Sequence, residues 1–228
     1  MSTRKVFGKS AEKLKSKRVL IVGIGGLGCT VANLLARLEI KLKFVDNDIV
    51  DDTNLERQIL YDKGDILKNK VDAAKEKLSQ FTKIEAISEK LTSKNIGKRI
   101  PQDIDLVIDC TDNVEARLLI NDYCMKNNIN WIYSGAVGDI GSIYFIDNKN
   151  DGPCFRCFNQ EKSGETSCNI GVLNSIIVAV ASIIVNVAVN YLVLGKIEEK
   201  LIRINMRDNS MTKINVKKNK RCVCSDKK

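Results

Sequence analysis

Histidine is absent from all 228 residues. The commonest general base and metal ligand is therefore missing, and any chemistry must run on Asp, Lys, Arg and Cys. Proline is scarce as well, with two residues, and no internal repeat or low-complexity linker interrupts the chain. One domain with a single good core fits this length, and nothing divides the chain into two equal parts. The opening stretch MSTRKVFGKSAEKLKSKR is polar and basic and lacks the apolar centre of a secretory leader, so a cytoplasmic location is expected. Acidic residues are outnumbered 28 to 37, and the resulting charge of +9 suits anionic partners. The lysines are spread along the whole chain without a nucleic-acid-binding motif, so nucleic acid is not the expected partner.

Long apolar runs are few, with one exception. Residues 176–194, IIVAVASIIVNVAVNYLVL, are long and apolar enough to cross a membrane. Ser182, Asn186 and Asn190 recur every four residues and share one helical stripe, and no second run accompanies them. A buried helix is expected rather than a span, a subunit interface being one place for it.

Elsewhere the periodicity alternates. Val19–Val22 reads as a strand and Val31, Leu34, Leu35 and Leu38 as a helix face; 40–46 reads as strand, 69–81 as helix, 84–91 as a short strand, and 103–109 as a buried strand. A helix over 113–128 follows, then strands at 129–135 and 142–147. The fold class predicted is α/β, a doubly wound, mostly parallel, Rossmann-like sheet. KLIRINM and MTKINV around RDNS predict a hairpin that extends the sheet in antiparallel fashion.

Between the first strand and helix lies the spacing G-x-G-x-x-G, at Gly23, Gly25 and Gly28, with Gly26 inside it. In strand–turn–helix context such glycines let the backbone approach a phosphate held at the helix start. Asp46, ending the second strand, can accept from ribose hydroxyls. To this point an NAD-dependent dehydrogenase fits as well as any other nucleotide enzyme. Asn54, Arg57 and Gln58 follow just past that acid, Lys70 stands at a helix start, and Asp112 follows a parallel strand in DCTDN. Two cations and an acid around the place of the phosphates equip the site for phosphate chemistry rather than hydride transfer.

These stretches, GIGGLG, Asp46-Asn47-Asp48, NLERQ, NKVDAA, DCTDN, SGAVGDIGSIYF and PCFRC, occur in the order and spacing of the ThiF/MoeB/HesA family, which the chain resembles over nearly its whole length. The resemblance implies a homodimeric ATP-dependent adenylyltransferase that activates the C-terminal Gly-Gly carboxylate of a small ubiquitin-like sulfur-carrier protein. It implies Arg57 and Lys70 on the phosphates, Asp112 holding Mg²⁺, Asp46 on the ribose, and Gly25, Asp48, Asn54, Gln58 and Asn113 around the nucleotide. It divides the domain into a nucleotide-binding part, 1–147, and a part with zinc site, helix and hairpin, 148–228. In relatives an N-terminal arginine reaches into the partner's site; Arg4 is the candidate here. Ile184 and Val187 stand where relatives commonly have Gln and Glu. A catalytically inactive carrier-binding scaffold of the same fold is the alternative, opposed by the intact set of Arg57, Lys70 and Asp112.

Eight cysteines in a chain of this kind point to metal or catalysis rather than disulfides. Cys154 and Cys157 form a C-x-x-C knuckle, and Cys222 and Cys224 can supply the other half of a tetrahedral zinc site. Relatives carry C-x-x-C at the second pair; C-x-C must bend for both sulfurs to reach one ion. Cys168 matches the position at which some relatives link covalently to the activated carrier. Cys29, Cys110 and Cys124 fall within core elements as small buried hydrophobes.

Overall fold

The computed structural model describes residues 2–159 and 170–226. The buried runs RVLIV, KLKFV, IEAI and LVID become β1 (Arg18–Val22), β2 (Lys41–Val45), β3 (Ile84–Ile87) and β4 (Leu106–Asp109), followed by β5 (Trp131–Val137), β6 (Ile140–Ile146), β7 (Lys200–Asn205) and β8 (Ser210–Asn215). They form one sheet in the order β3-β2-β1-β4-β5-β6-β7-β8. β1 to β5 pair in parallel and β5 to β8 in antiparallel fashion. Strands buried on both faces, such as β4, have no polar side to alternate with, which is why they read as unbroken apolar runs.

Helices cover both faces: α1 (Ser2–Phe7), α2 (Gly26–Ala36), α3 (Lys70–Leu78), α4 (Ile96–Arg99), α5 (Val114–Lys126), α6 (Phe155–Phe158) and α7 (Asn174–Leu194). On one side α2, α3 and α7 enclose the larger core with Phe44, Ile108 and Phe145. On the other, α4, α5 and α6 pack over Trp131, Ile146 and Phe155. Strand order reverses between β1 and β4, and a sheet of this type opens a crevice at the carboxyl ends of the strands at such a switch point.

The apolar helix α7 alone among the described residues has the length and composition to cross a membrane. It lies against α2, β5 and β6, with Ile176, Val180, Ile184 and Ala188 fully buried. Ile184 and Val187 are both core residues. Ser182 and Asn186 face outward together with the exposed Val178, so the polar stripe marks the uncovered side.

The predicted hairpin closes between β7 and β8, and charge collects there. Residues 196–228 hold eleven basic and four acidic side chains, so +7 of the net +9 lies in this last segment. The lysines are spread along the chain, but the acids that offset them are not.

Candidate active site

The turn after β1 needs glycine for steric reasons. Gly23 has φ +86°, and a Cβ there would sit 2.8 Å from the Cys110 carbonyl oxygen. A Cβ on Gly28 would lie 1.9 Å from Gly23 O, so helix and turn can approach only because both lack side chains. Gly25 and Gly26 instead line a cleft, Gly25 as the N-cap of the eleven-residue α2. The first-turn N–H groups of that helix have no carbonyl within it to bond, and with the helix dipole they favour an anion.

Asp46 braces this turn. Ile24 N–H donates to its Oδ2 (2.6 Å) and Asp48 N–H to its Oδ1 (2.8 Å). Burial raises its pKa while these two donors oppose the rise. Each oxygen keeps a lone pair for a further donor such as a ribose hydroxyl. Tyr61, buried and not singled out in the sequence, has its hydroxyl 2.9 Å from Ile24 O and 3.1 Å from Lys70 O, within reach of donating to either. It fastens the glycine turn to the start of α3.

Lys70 opens α3 with its side chain only 7% exposed, and its Nζ donates to Asp48 Oδ2 at 2.9 Å. A cation at a helix N-terminus opposes the dipole, and Asp48 offsets that cost. Its main-chain N–H also donates to Asp48 O. Arg57 reaches the same cleft, with Nη1 donating to Thr53 O, and Asn54 O accepts from the Arg57 and Gln58 amides. Gln58 is 3% exposed, yet its Oε1 accepts no hydrogen bond among the described residues. The Nε2 of the same amide lies beside Gly25 on the wall of the cleft.

Beyond β4, Asp109 Oδ1 accepts from both the N–H (3.0 Å) and the hydroxyl (2.6 Å) of Thr111, which sets the loop carrying Asp112. Its Oδ2 lies 3.7 Å from Nε of the buried Arg117, whose Nη2 donates to Thr111 O. Burial pushes the Asp109 carboxyl up to about 6, with Arg117 opposing. Neither Asp109 nor Arg117 was singled out in the sequence, although both lie in the DCTDNVEAR stretch. Asn113 caps α5, its Oδ1 accepting from Ala116 N–H, so that oxygen serves the helix while the residue still borders the cleft. Because Asn113 makes the cap, the exposed Asp112 does not.

Gly23, Gly25, Gly26, Asp46, Asp48, Asn54, Arg57, Gln58, Lys70, Asp112, Asn113 and Arg117 open on one cleft of ≈ 1020 Å³, which Asp109 and Tyr61 support from behind. Gly25, Asp46, Arg57, Lys70 and Asp112 ring one part of it, and Leu91, Thr92, Ala116 and Leu119 form another wall that the sequence did not reveal. Val137 and Val172 line it too, held by pairing of Gly138 with residues 171–173. Its volume suits a ligand of nucleotide size. Cys168 lies outside the described residues, and Arg4 lies in α1.

A second centre lies at the foot of α6. The sulfurs of Cys154, Cys157, Cys222 and Cys224 all fall within 4.8 Å of one another, the shortest separations being 3.4, 3.5 and 3.9 Å. With Zn–S bonds of about 2.3 Å a tetrahedron has S···S edges of about 3.8 Å, so this donor set fits zinc. Burial pushes the Cys154 thiol up, and the neighbouring sulfurs add to the rise. Cys29, Cys110 and Cys124 are buried in the core as expected.

The adenylyltransferase and sulfurtransferase UBA4 of Eremothecium gossypii is 39% identical to this chain over 150 residues, covering 64% of the chain and 34% of the relative. UBA4 of Scheffersomyces stipitis is 40% identical over 157 residues, covering 66% and 34%. The matched region spans about a third of the length of these relatives. Among solved structures, E. coli MccB with ATP superposes with a TM-score of 0.82 at 22% identity, covering 95% of this chain and 69% of that one, which shows a shared fold. The family model described as ThiF family matches residues 2–225. A match of that extent, on a chain whose glycine turn, Lys70 and DCTDN loop meet at one cleft, leaves a single assignment: the chain belongs to the ThiF family.

Proposed function

We propose that the chain is an ATP-dependent adenylyltransferase that activates the C-terminal Gly-Gly carboxylate of a small ubiquitin-like sulfur-carrier protein as an acyl-adenylate, acting as a homodimer. The observation that carries this reading is the convergence of Lys70, Arg57 and Asp112 on the mouth of a glycine turn, two cations and one acid from three separate segments. The curated relatives named adenylyltransferase and sulfurtransferase support the reaction class.

In this reading the carboxylate oxygen attacks the α-phosphorus of ATP, the P–O bond to the β-phosphate breaks, and pyrophosphate leaves. A carboxylate is a weak nucleophile toward a polyanion, so the protein must align the two and neutralise charge. The α2 N–H groups hold phosphate oxygens, Asp46 takes the ribose, and Gln58 pairs its buried amide with the nucleotide. Lys70, pre-aimed by Asp48, and Arg57 bear the charge that builds on the departing oxygens. No proton has to be removed from the attacking carboxylate, which agrees with a chain that has no histidine.

Asp112 is the residue that would hold Mg²⁺, a hard cation suited to carboxylate oxygen, and bound there the ion supplies Lewis-acid stabilisation of phosphate charge. Zinc held by the four cysteines would fasten the tail to the body and take no part in the chemistry. Cys168 is proposed to accept the activated carrier.

ATP–pyrophosphate exchange dependent on a Gly-Gly-terminated carrier tests the reading. Asp112→Ala and Lys70→Ala are expected to lower exchange by about 10²- to 10³-fold or more, with the melting curve unchanged. Near-normal exchange in Asp112→Ala would rule the assignment out, and so would stabilisation of the protein by NAD instead of ATP. Cys168→Ser should leave exchange intact while blocking covalent capture of the carrier.

A further inference from the structure

The C-x-C pair poses a geometric problem. In an extended chain Cα atoms two residues apart are about 6.6 Å from each other, and their side chains point the same way in parallel. Cys222 and Cys224 nevertheless bring both sulfurs to one centre with Cys154 and Cys157. The bend comes from two successive turns: Cys222 N–H donates to Asn219 O (2.9 Å), then Ser225 N–H donates to Cys222 O (2.8 Å). The C-x-C thus wraps around a point.

Asn219 is the pivot of that wrapping. Its Oδ1 accepts from Arg221 N–H at 2.9 Å, an Asx turn that pre-folds the first reversal, and its main-chain oxygen accepts from Ser225 Oγ as well as from Cys222 N–H. Its own N–H donates to Cys157 Sγ at 3.4 Å, which ties the tail to the opposite cysteine pair. The preceding residue, Lys218, is paired with Asp151 (2.6 Å to Oδ2, 3.2 Å to the main-chain oxygen), in the loop that leads to Cys154. Asn219 itself is exposed and supports no core packing. All its side-chain interactions among the described residues serve this turn.

We propose that Asn219 is the positioning residue of the four-thiolate site. Its side chain supplies the curvature that a C-x-x-C pair obtains from an extra residue, and its N–H···S bond holds the Cys157 sulfur in orientation. The inference rests on the zinc reading of the cysteine cluster. Removing the side-chain acceptor opens the first turn, and Cys224, the far member of the pair, is the ligand lost. Partners in this outer position commonly change metal affinity by about 10- to 100-fold.

The test uses the full chain loaded with Zn²⁺ or, for spectroscopy, Co²⁺. Wild-type protein is expected to retain one Zn²⁺ against a colorimetric chelator and to show the sulfur-to-Co²⁺ charge-transfer bands of tetrahedral thiolate. Asn219→Ala should release Zn²⁺ at about 10- to 100-fold lower chelator concentration, with weaker charge-transfer bands resembling those of Cys224→Ser. Asn219→Asp, which keeps an Oδ acceptor for Arg221 N–H, should restore most of the retention. Metal-free wild type and metal-free Asn219→Ala should melt together, which separates a role at the metal from a general folding role. Asn219→Ala that holds Zn²⁺ as tightly as wild type, or that melts lower even without metal, would overturn the proposal. A wild-type protein that binds no Zn²⁺ would overturn the reading of the cluster beneath it.

Discussion

At the residue scale, much of the cleft is held by groups that touch no ligand. Asp109 is fully buried and uses one oxygen to fix Thr111, so the orientation of the loop carrying Asp112 depends on a carboxylate with no access to water. Its pKa is raised from the model-compound value of 3.8 to about 6, chiefly by burial. A group whose folded-state pKa lies above its unfolded one stabilises fully below the unfolded value, and that contribution fades as pH rises through the folded value. The stabilisation by Asp109 is therefore present below about pH 4 and lost between about pH 4 and pH 6, amounting to about 2–3 kcal/mol. Urea unfolding of wild type and Asp109→Asn at steps from pH 4 to 7 measures it. The difference in stability should shift against wild type by that amount across the window, and a pH-independent difference would show that Asp109 does not titrate there.

At the scale of elements, α7 tests how far apolar content can replace polar pattern. Ile184 and Val187, for which the resemblance implies polar residues, are both buried in the main core. Val187→Glu would bury a carboxylate within the apolar main core, at a cost of about 3–5 kcal/mol, read as a fall in the urea midpoint. A variant of unchanged stability would mean that the helix turns this side toward solvent or a partner. The strands and most helices were legible in the sequence because their cause is local. RVLIV, LVID and the spacing of Val31 and Leu35 encode burial directly, and the hairpin announced itself through RDNS. The glycine turn was legible for the same reason, since Gly23 and Gly28 meet atoms that only glycine can approach. What could not be read was the registry of distant segments: Tyr61 hydrogen-bonded to Ile24, Arg117 set beside Asp109, and Asn219 bonded to Cys157 are separated by up to 62 positions. Polar side chains of this kind carry no periodic signature, and only the assembled sheet brings them together.

At the scale of the whole molecule, the tail closes the structure on itself. β7 and β8 extend the sheet past β6, and Cys222 and Cys224 then return to the loop after β6, so one thiol cluster joins residues nearly 70 positions apart. Closing so long a loop is entropically costly, and beyond β7, whose Ile202 and Ile204 are buried, the tail adds less apolar burial to offset it: Met211, Ile214 and Val223 are exposed. The eleven basic residues of this segment repel one another besides. On the proposed zinc reading, a divalent cation shared by the four thiolates would add free energy to this closure. Chelation, or Cys154→Ser, is therefore expected to lower the melting temperature by several degrees and to expose 217–226 to protease first, while β1 to β5 and the cleft stay folded. Low salt should aggravate the loss, because charge repulsion within the basic tail is then least screened. Limited proteolysis with and without chelator, followed by mass analysis of the fragments, reads the order of release. Cleavage that begins instead around α2 or α3 would mean that the metal supports the nucleotide cleft directly rather than the tail.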